Sequence, residues 1–525
     1  MQQLVLRWSK QLIPEQVQLI KHLQPLSETE RKKLEEEVRR TADRSFQDLW
    51  MQEMNATGSI VILLTGANGS LGRQVLRELL LLNASDMREG RYKVFLLLEP
   101  GSHSRNEDYT SSMDDQIIVL RNDPIFLGFR EAWDITVEVV KSENVGIPHC
   151  GLSDATISRL DQAGITHVVH CAAPDVSMEI PMHQVAVRTV STALQLQAFA
   201  RQWGCRRYVH LSTCFANPTR TNNDETNAEK PFDLGRYDAR KLYESMLGDQ
   251  WLAEKAKKEL ELKTDLMLSA CIAEHLLSRE KLVPTTILRM GLIGPSWVLP
   301  YPGWDGQQSS PITRLATMSR TRAVRVLNLT RGIIPIMPVD LAAASILEAV
   351  LENSREQQNR TGDPDVRNIV WGIQGDLILE KMHAFWALTG RFSLSDALFQ
   401  LQSSRYMQDD HASFILMDAL FNELPIHALR TIKRLEKIFG FEDRRQEKII
   451  EPESQEALSN RNFLSTLEPY MGSSFQIKSS TRLPQSLSPE RYLVCSVVRA
   501  AENNVHPDMR AIRTELEPHT KEYFK

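Results

Sequence analysis

Residues 60–72 constrain the fold more than any other part of the chain. Ile60-Val61-Ile62-Leu63-Leu64 is an unbroken apolar run, and it ends in Thr65-Gly66-Ala67-Asn68-Gly69-Ser70-Leu71-Gly72. A strand that is apolar at every position has no solvent face, so it suits the middle of a parallel sheet covered on both sides. The residues after the loop place Leu71, Val75, Leu76, Leu79 and Leu80 at helical spacing. A glycine turn between such a strand and such a helix brings backbone against a pyrophosphate. Gly66 serves the tight turn, Gly69 the close approach and Gly72 the packing of the helix. The helix start adds unpaired N–H groups and the positive end of its dipole. The expectation is a nicotinamide dinucleotide held by Thr65, Gly66, Asn68, Gly69, Ser70, Leu71 and Gly72, with Arg73 next to them.

Further apolar runs at Val94–Leu98, Val137–Val140, His167–His170, Tyr208–Leu211 and Thr286–Arg289 alternate with helical patterns. Alternating strands and helices predict an α/β fold, a doubly wound parallel Rossmann sheet. Three parts follow. Residues 1–57 form a helical preface, opened by the capping box Ser27-Glu28-Thr29-Glu30 and expected to lie on the main domain as a solvated helix. Residues 58–350 carry the dinucleotide-binding domain with a substrate-binding part. Residues 351–525 read as a mainly helical C-terminal domain, with an irregular Ser- and Pro-rich stretch at 451–490.

Composition removes several function classes. A net charge of -5 offers no basic face for nucleic acid. The six cysteines are scattered without a C-x-x-C pair, which speaks against a disulfide framework or zinc site and for a reducing, cytoplasmic compartment. The histidines show no metal-ligand spacing, so no metal is expected. The N-terminus does not read as a signal peptide. The most apolar stretch, Gly332–Val350, is interrupted by Pro335, Pro338 and Asp340, so no membrane span is expected, while peripheral membrane contact stays open. Oligomeric state is not legible.

The spacing T-G-x-x-G-x-x-G resembles the extended short-chain dehydrogenase/reductase superfamily. His170-Cys171-Ala172-Ala173 resembles that group's H-N-A-A stretch beside the cofactor, with Cys171 where Asn is usual. Leu211-Ser212-Thr213 ends the strand that carries the catalytic hydroxyl there. Arg289-Met290-Gly291, Gly294-Pro295-Ser296-Trp297, Pro302-Gly303-Trp304 and Pro338-Val339-Asp340 narrow the resemblance to the fatty acyl-CoA reductases of the male-sterility branch, relatives of thioester reductase domains. Glu143 with Gly151-Leu152-Ser153 resembles the segment beside the adenine. The resemblance implies that NADPH reduces a long-chain acyl-CoA or acyl-carrier thioester to aldehyde or alcohol. It assigns Ala172 and Glu143 to the cofactor and Thr213 to the reacting carbonyl.

The proton donor and its partner are ambiguous. Tyr237 and Lys241 have the Tyr-x-x-x-Lys spacing and are the candidate catalytic pair beside Thr213. The family pair, however, opens the helix before the strand that holds Arg289, and in that register the two positions hold Leu266 and Ala270. Tyr237 and Lys241 then sit on the surface of an inserted helix. A catalytically impaired dinucleotide-binding homologue, acting as a partner or scaffold, is the alternative function. Sugar epimerisation or another carbonyl reduction is a third. The family's relay Asn falls near Arg188. For the cofactor, Arg73 and Arg105 suit a 2′-phosphate, whereas Glu99 suits the free ribose of NADH. The basic run Arg314, Arg320, Arg322 and Arg325 either meets phosphates of an acyl donor or is a solvated helix face.

Overall fold

The computed structural model describes residues 28–39, 46–84, 92–100, 113–172, 180–217, 229–279, 283–306, 310–321, 333–352 and 364–374, with 483–484, 487–498 and 500. Ser27, Arg105, Arg322, Arg325 and the segment 375–450 expected to be helical lie outside these residues.

The central sheet has seven strands in the order β3-β2-β1-β4-β5-β6-β9. They are β1 Ile60–Thr65, β2 Tyr92–Leu98, β3 Val137–Lys141, β4 His167–His170, β5 Arg207–Thr213, β6 Thr285–Met290 and β9 Asp365–Ile369. Every neighbouring pair is parallel. All six residues of β1 are buried, as a strand covered on both faces requires. The chain builds outward from β1 to β2 and β3, then returns to the other side of β1 for β4. That reversal opens a crevice beyond the carboxyl ends of β1 and β4, where ligands of such sheets bind. Thr65 is paired with His170 across it.

Helix α1 (Glu28–Arg39) and helix α2 (Phe46–Thr57) form the described preface. They are more than a solvated cover. Leu34, Val38, Phe46, Leu49 and Trp50 are buried in the main core, and the Trp50 ring meets Tyr92 of β2 edge-on at 4.7 Å. Helix α3 (Ser70–Ala84) follows the phosphate loop. Helices α4 (Met113–Arg121) and α5 (Arg130–Thr136) lead to β3, and α6 (Asp154–Ala163) leads to β4. After β4 a composite helix runs as α7 (Met182–Ala186), a π-turn (Val187–Ser191) and α8 (Thr192–Gln202).

Between β5 and β6 lie α9 (Ala239–Leu247), α10 (Trp251–Glu259) and α11 (Asp265–Arg279). The inserted helix expected to carry Tyr237 and Lys241 is two helices, broken where Gly248 leaves helical geometry and Gln250 turns left-handed with φ 62.

A second sheet, β10-β8-β7, joins β7 Leu292–Gly294, β8 Ile333–Pro338 and β10 Trp371–Gln374. Helix α12 (Pro311–Thr321) precedes β8, and α13 (Val339–Leu351) follows it. Helix α13 packs against α1, α2 and α3. Strands β9 and β10 come from beyond residue 350, so both sheets cross the boundary expected there. Residues near 490 also return to this region: the Tyr492 hydroxyl donates to the Pro295 carbonyl at 3.0 Å, and its ring meets Trp371 edge-on. Among the described residues, no helix is long and apolar enough to cross a membrane.

Candidate active site at the carboxyl edge of the sheet

The phosphate loop connects β1 to α3 in a conformation that glycine makes possible. Gly66 has φ +79, and a Cβ there would lie 2.6 Å from the Ala172 nitrogen. A Cβ on Gly72 would lie 2.2 Å from the Gly66 carbonyl oxygen. Both glycines therefore permit contacts within the protein. Gly69 differs: it is exposed, and a Cβ there would meet nothing closer than the Gly66 oxygen at 3.5 Å. The space in front of Gly69 and the start of α3 is open, which is the cradle a pyrophosphate needs. Thr65 is tied across the switch point by a 2.8 Å hydrogen bond between its Oγ1 and His170 Nδ1. Burial pulls His170 down to about 4, so the ring is neutral. Asn68 donates to Gln116 at 3.3 Å, and Leu71 is buried under the loop.

Arg73 is not available to a ribose phosphate. Its guanidinium donates to Asp123 at 2.6 Å, with both side chains almost wholly buried. Burial requires a charge to be paired, and Asp123 meets that need fifty positions away in sequence. The pair clamps α3 to the turn before α5. Glu99 stands just past β2, where the backbone N–H of Val145 donates to its carboxylate at 3.1 Å. It thereby holds the loop that carries Glu143. Glu143 itself is exposed, and its N–H donates to the Gly151 carbonyl at 3.3 Å. Gly151 has φ +60, and Ser153 caps α6 by accepting from the Thr156 N–H, so Gly151-Leu152-Ser153 does structural work here.

Thr213 ends β5, one strand over from β4, and is half-buried. Its Oγ1 accepts from the Phe215 N–H at 3.3 Å, which leaves the hydroxyl proton available. The neighbouring Ser212 donates to Glu274 at 2.6 Å. Glu274 in turn forms a fully buried two-pronged pair with Arg289, at 2.9 and 2.5 Å. This network of β5, α11 and β6 fixes α11 against the end of β5.

Tyr237 and Lys241 flank the start of α9. The Tyr237 hydroxyl donates to Glu259 of α10 at 2.5 Å, and the Arg236 guanidinium lies 5.4 Å from the ring centre. Lys241 is exposed; its backbone N–H donates to Asp238, the residue that caps α9. The Tyr237 phenol is thus engaged by α10, and neither Tyr237 nor Lys241 is bonded to Thr213 through its side chain. The helix that packs on the π-turn and on the end of β5 is α11. Its first turn holds Leu266, and Ala270 is buried one turn on. Arg188 lies in the π-turn opposite.

Two further contacts join segments that the sequence singled out without pairing them. Asp340, at the start of α13, accepts from the N–H groups of Trp297, Val298 and Leu299 at 2.9, 2.7 and 3.0 Å. It pins the loop leading to Trp304. That loop continues to Gly306, which lies against Ser70 of the phosphate loop.

Residues 64–346 match the family model described as male sterility protein. The chain belongs to the male sterility protein family. The match spans β1 to α13, so it takes in the phosphate loop, Thr213 and the strap to Gly306. A fatty acyl-CoA reductase 1 from Gallus gallus is 25% identical over 301 residues, covering 55% of this chain and 54% of that protein. A fatty acyl-CoA reductase 2 from Mus musculus is 22% identical over 291 residues, with 53% and 52% covered. The chain thus matches about half the length of these relatives. Among solved structures, the PhqB reductase domain from Penicillium fellutanum is similar with TM-score 0.45 and 14% identity, covering 87% of this chain and 98% of that one. In this male sterility family member, no group of His, Cys, Asp and Glu able to hold a metal ion occurs among the described residues.

Proposed function

We propose that the protein is a dinucleotide-dependent reductase of a long-chain acyl thioester, and that its product is the aldehyde. The observation that carries the reading is the open cradle at Gly69 on the same sheet edge as the Thr213 hydroxyl. Thr65, Gly66, Asn68, Ser70, Leu71 and Gly72 shape the dinucleotide site, and Ala172 walls it at the end of β4. When bound, the reduced dinucleotide supplies a hydride for the thioester carbonyl carbon. Thr213 donates a hydrogen bond to the oxygen as it becomes an oxyanion. Collapse of that oxyanion restores the C=O bond and expels the thiolate. A thiol has a pKa of about 8–9, so it leaves without an acid at the carbonyl oxygen.

Reduction of the aldehyde to the alcohol makes a different demand. There the oxygen must finally take a proton, and the side chain α11 offers at its first turn is Leu266. This register supports a halt after one hydride. Arg73 being held by Asp123 removes one support for NADPH, and Glu99 just past β2 suits a free ribose 2′-hydroxyl, so the reading prefers NADH.

The test is oxidation of NADH and NADPH by purified protein with a long-chain acyl-CoA, with thiol and product measured together. The expected result is one dinucleotide oxidised per thiol released, with aldehyde accumulating. Two dinucleotides per thiol, with alcohol, would overturn the halt. Dinucleotide binding without oxidation on acyl-CoA or acyl-carrier thioesters favours the second reading, a partner or scaffold protein, which the same Leu266 and Ala270 register supports.

A further inference from the structure

Helices α8 and α11 each lead into a strand of one parallel sheet and pack together, so they run side by side in the same direction. Gln197 fixes their register, because its side chain donates to the Leu277 carbonyl at 3.1 Å. Nine residues nearer the amino end of each helix, Arg188 is level with Leu268, between Leu266 and Ala270. Two contacts tie this part of α11 to the end of β5. The Cys271 thiol donates to the Ala216 carbonyl at 2.8 Å, and Ser212 donates to Glu274 at 2.6 Å. Arg188 therefore belongs to the turns of helix that overlook the end of β5, where Thr213 lies.

The helix is irregular there. Val187–Ser191 is a π-turn, a wider turn that recurs at functional sites. Arg188 is half-buried, yet among the described residues its side chain has no ion pair, hydrogen bond or ring contact. Taking a charge partly out of water without a counter-ion is costly, so the position calls for an anion. Among the described residues of the π-turn, of 211–217 and of 265–273, Arg188 is the sole cationic side chain. Arg289 of β6 is committed to Glu274, with both side chains fully buried.

We propose that Arg188 is a further catalytic residue, whose guanidinium shares the carbonyl oxygen of the substrate with Thr213. The inference rests on the reductase reading. Hydride adds to the thioester carbon, and the C=O electron pair moves onto oxygen. Thr213 and Arg188 donate hydrogen bonds to that oxyanion, and the bond from the charged donor is the stronger. The electron pair then returns, the C=O bond re-forms and thiolate leaves. No proton is drawn from Arg188. The guanidinium thus supplies the charge that Leu266 and Ala270 lack, and it stabilises an oxyanion without turning it into an alcohol.

The experiment compares steady-state turnover of a long-chain acyl-CoA by the full chain, Arg188→Gln, Arg188→Ala and the control Arg240→Gln, which changes an exposed arginine of α9. Thermal melting checks that each variant folds. Arg188→Gln should lose roughly 10²–10³ in kcat with little change in KM. Guanidinium chloride at millimolar concentration should restore part of the turnover of Arg188→Ala and none of that of Thr213→Ala, a response that a merely structural role would not give. A second readout needs no turnover. Decanoate, whose carboxylate stands in for the oxyanion, and the neutral decanamide are titrated calorimetrically in the presence of NAD+. The wild type should bind decanoate about tenfold tighter or more. Arg188→Gln should bind the two alike, and Arg240→Gln should keep the preference. Equal affinities in the wild type, a preference that survives in folded Arg188→Gln, or unchanged turnover in that variant would each overturn the inference. An Arg188-dependent preference in a wild type that turns over no thioester would keep the anion site and remove the reductase reading.

Discussion

Gly306 sits so close to Ser70 that a Cβ on it would come within 2.9 Å of the Ser70 Cβ. Its φ of +73 also lies where glycine is favoured. The strap from Trp304 therefore seals one side of the phosphate loop. Gly306→Ala should weaken dinucleotide binding by about tenfold, an expected cost of about 1–2 kcal/mol from backbone strain and a displaced Ser70. Fluorescence titration with NADH would measure it, and unchanged affinity would mean that the strap yields freely.

Asp123→Ala leaves Arg73 buried without its counter-ion. Removing one partner of a buried pair costs about 3–5 kcal/mol. The variant should melt well below the wild type. If it stays folded, its ratio of NADH to NADPH affinity should be unchanged, since Arg73 takes no part in the choice. A shift toward NADPH on freeing Arg73 would assign the guanidinium a ribose role after all.

Thr213 and Tyr237 should separate cleanly in kinetics. Thr213→Ala should lower turnover by roughly 10²–10³, the effect of losing one oxyanion donor. Tyr237→Phe removes a bond to Glu259 at the surface and should leave turnover unchanged, with a stability cost of about 1 kcal/mol or less. Steady-state rates with one thioester suffice. A large loss in Tyr237→Phe would bring that phenol to the reacting carbonyl.

Asp305, within the strap, is buried, and burial raises its carboxyl to about 7 against the hydrogen bonds from Thr313 and Ser310. The folded state thus holds a proton that the unfolded state has released above its ordinary value of 3.8. The resulting stability is fully present below pH 3.8 and is lost as pH rises through about 7. Asp305→Asn carries no such charge. Its melting temperature relative to wild type should rise between pH 4 and pH 7 and then level off. A difference independent of pH would show that Asp305 ionises as freely in the folded protein as in the unfolded one.

The strands of the central sheet were legible because their apolar runs leave no solvent face. The loop 65–72 was legible because its glycines answer to backbone geometry over a few residues. The strand beyond residue 350 was not legible, for a physical reason. Strand β9 reads Asp-Val-Arg-Asn-Ile, and its polar residues are used at the sheet edge, where Arg367 holds Glu352 in a paired bond at 2.7 and 2.6 Å. Nothing in that stretch looks like a buried strand. The fates of Arg73 and Tyr237 depend on Asp123 and Glu259, partners that local spacing does not reveal. Leu266 and Ala270 lie on the helix that precedes the strand of Arg289, and a helix before a parallel strand has a fixed place on the sheet.

Strand β9 also sets an order of events during synthesis. Until residues 365–369 leave the ribosome, β6 presents an unpaired edge, and such edges recruit strands from other chains. Helix α1 must meanwhile wait for α13, the surface on which it docks. A nascent chain of this kind holds its first helix without α13 across roughly 300 residues of translation, about 15–60 s at ordinary elongation rates, and its sixth strand unpaired across roughly 75 residues, about 4–15 s. Chaperone demand should therefore peak before β9 emerges and fall once it pairs.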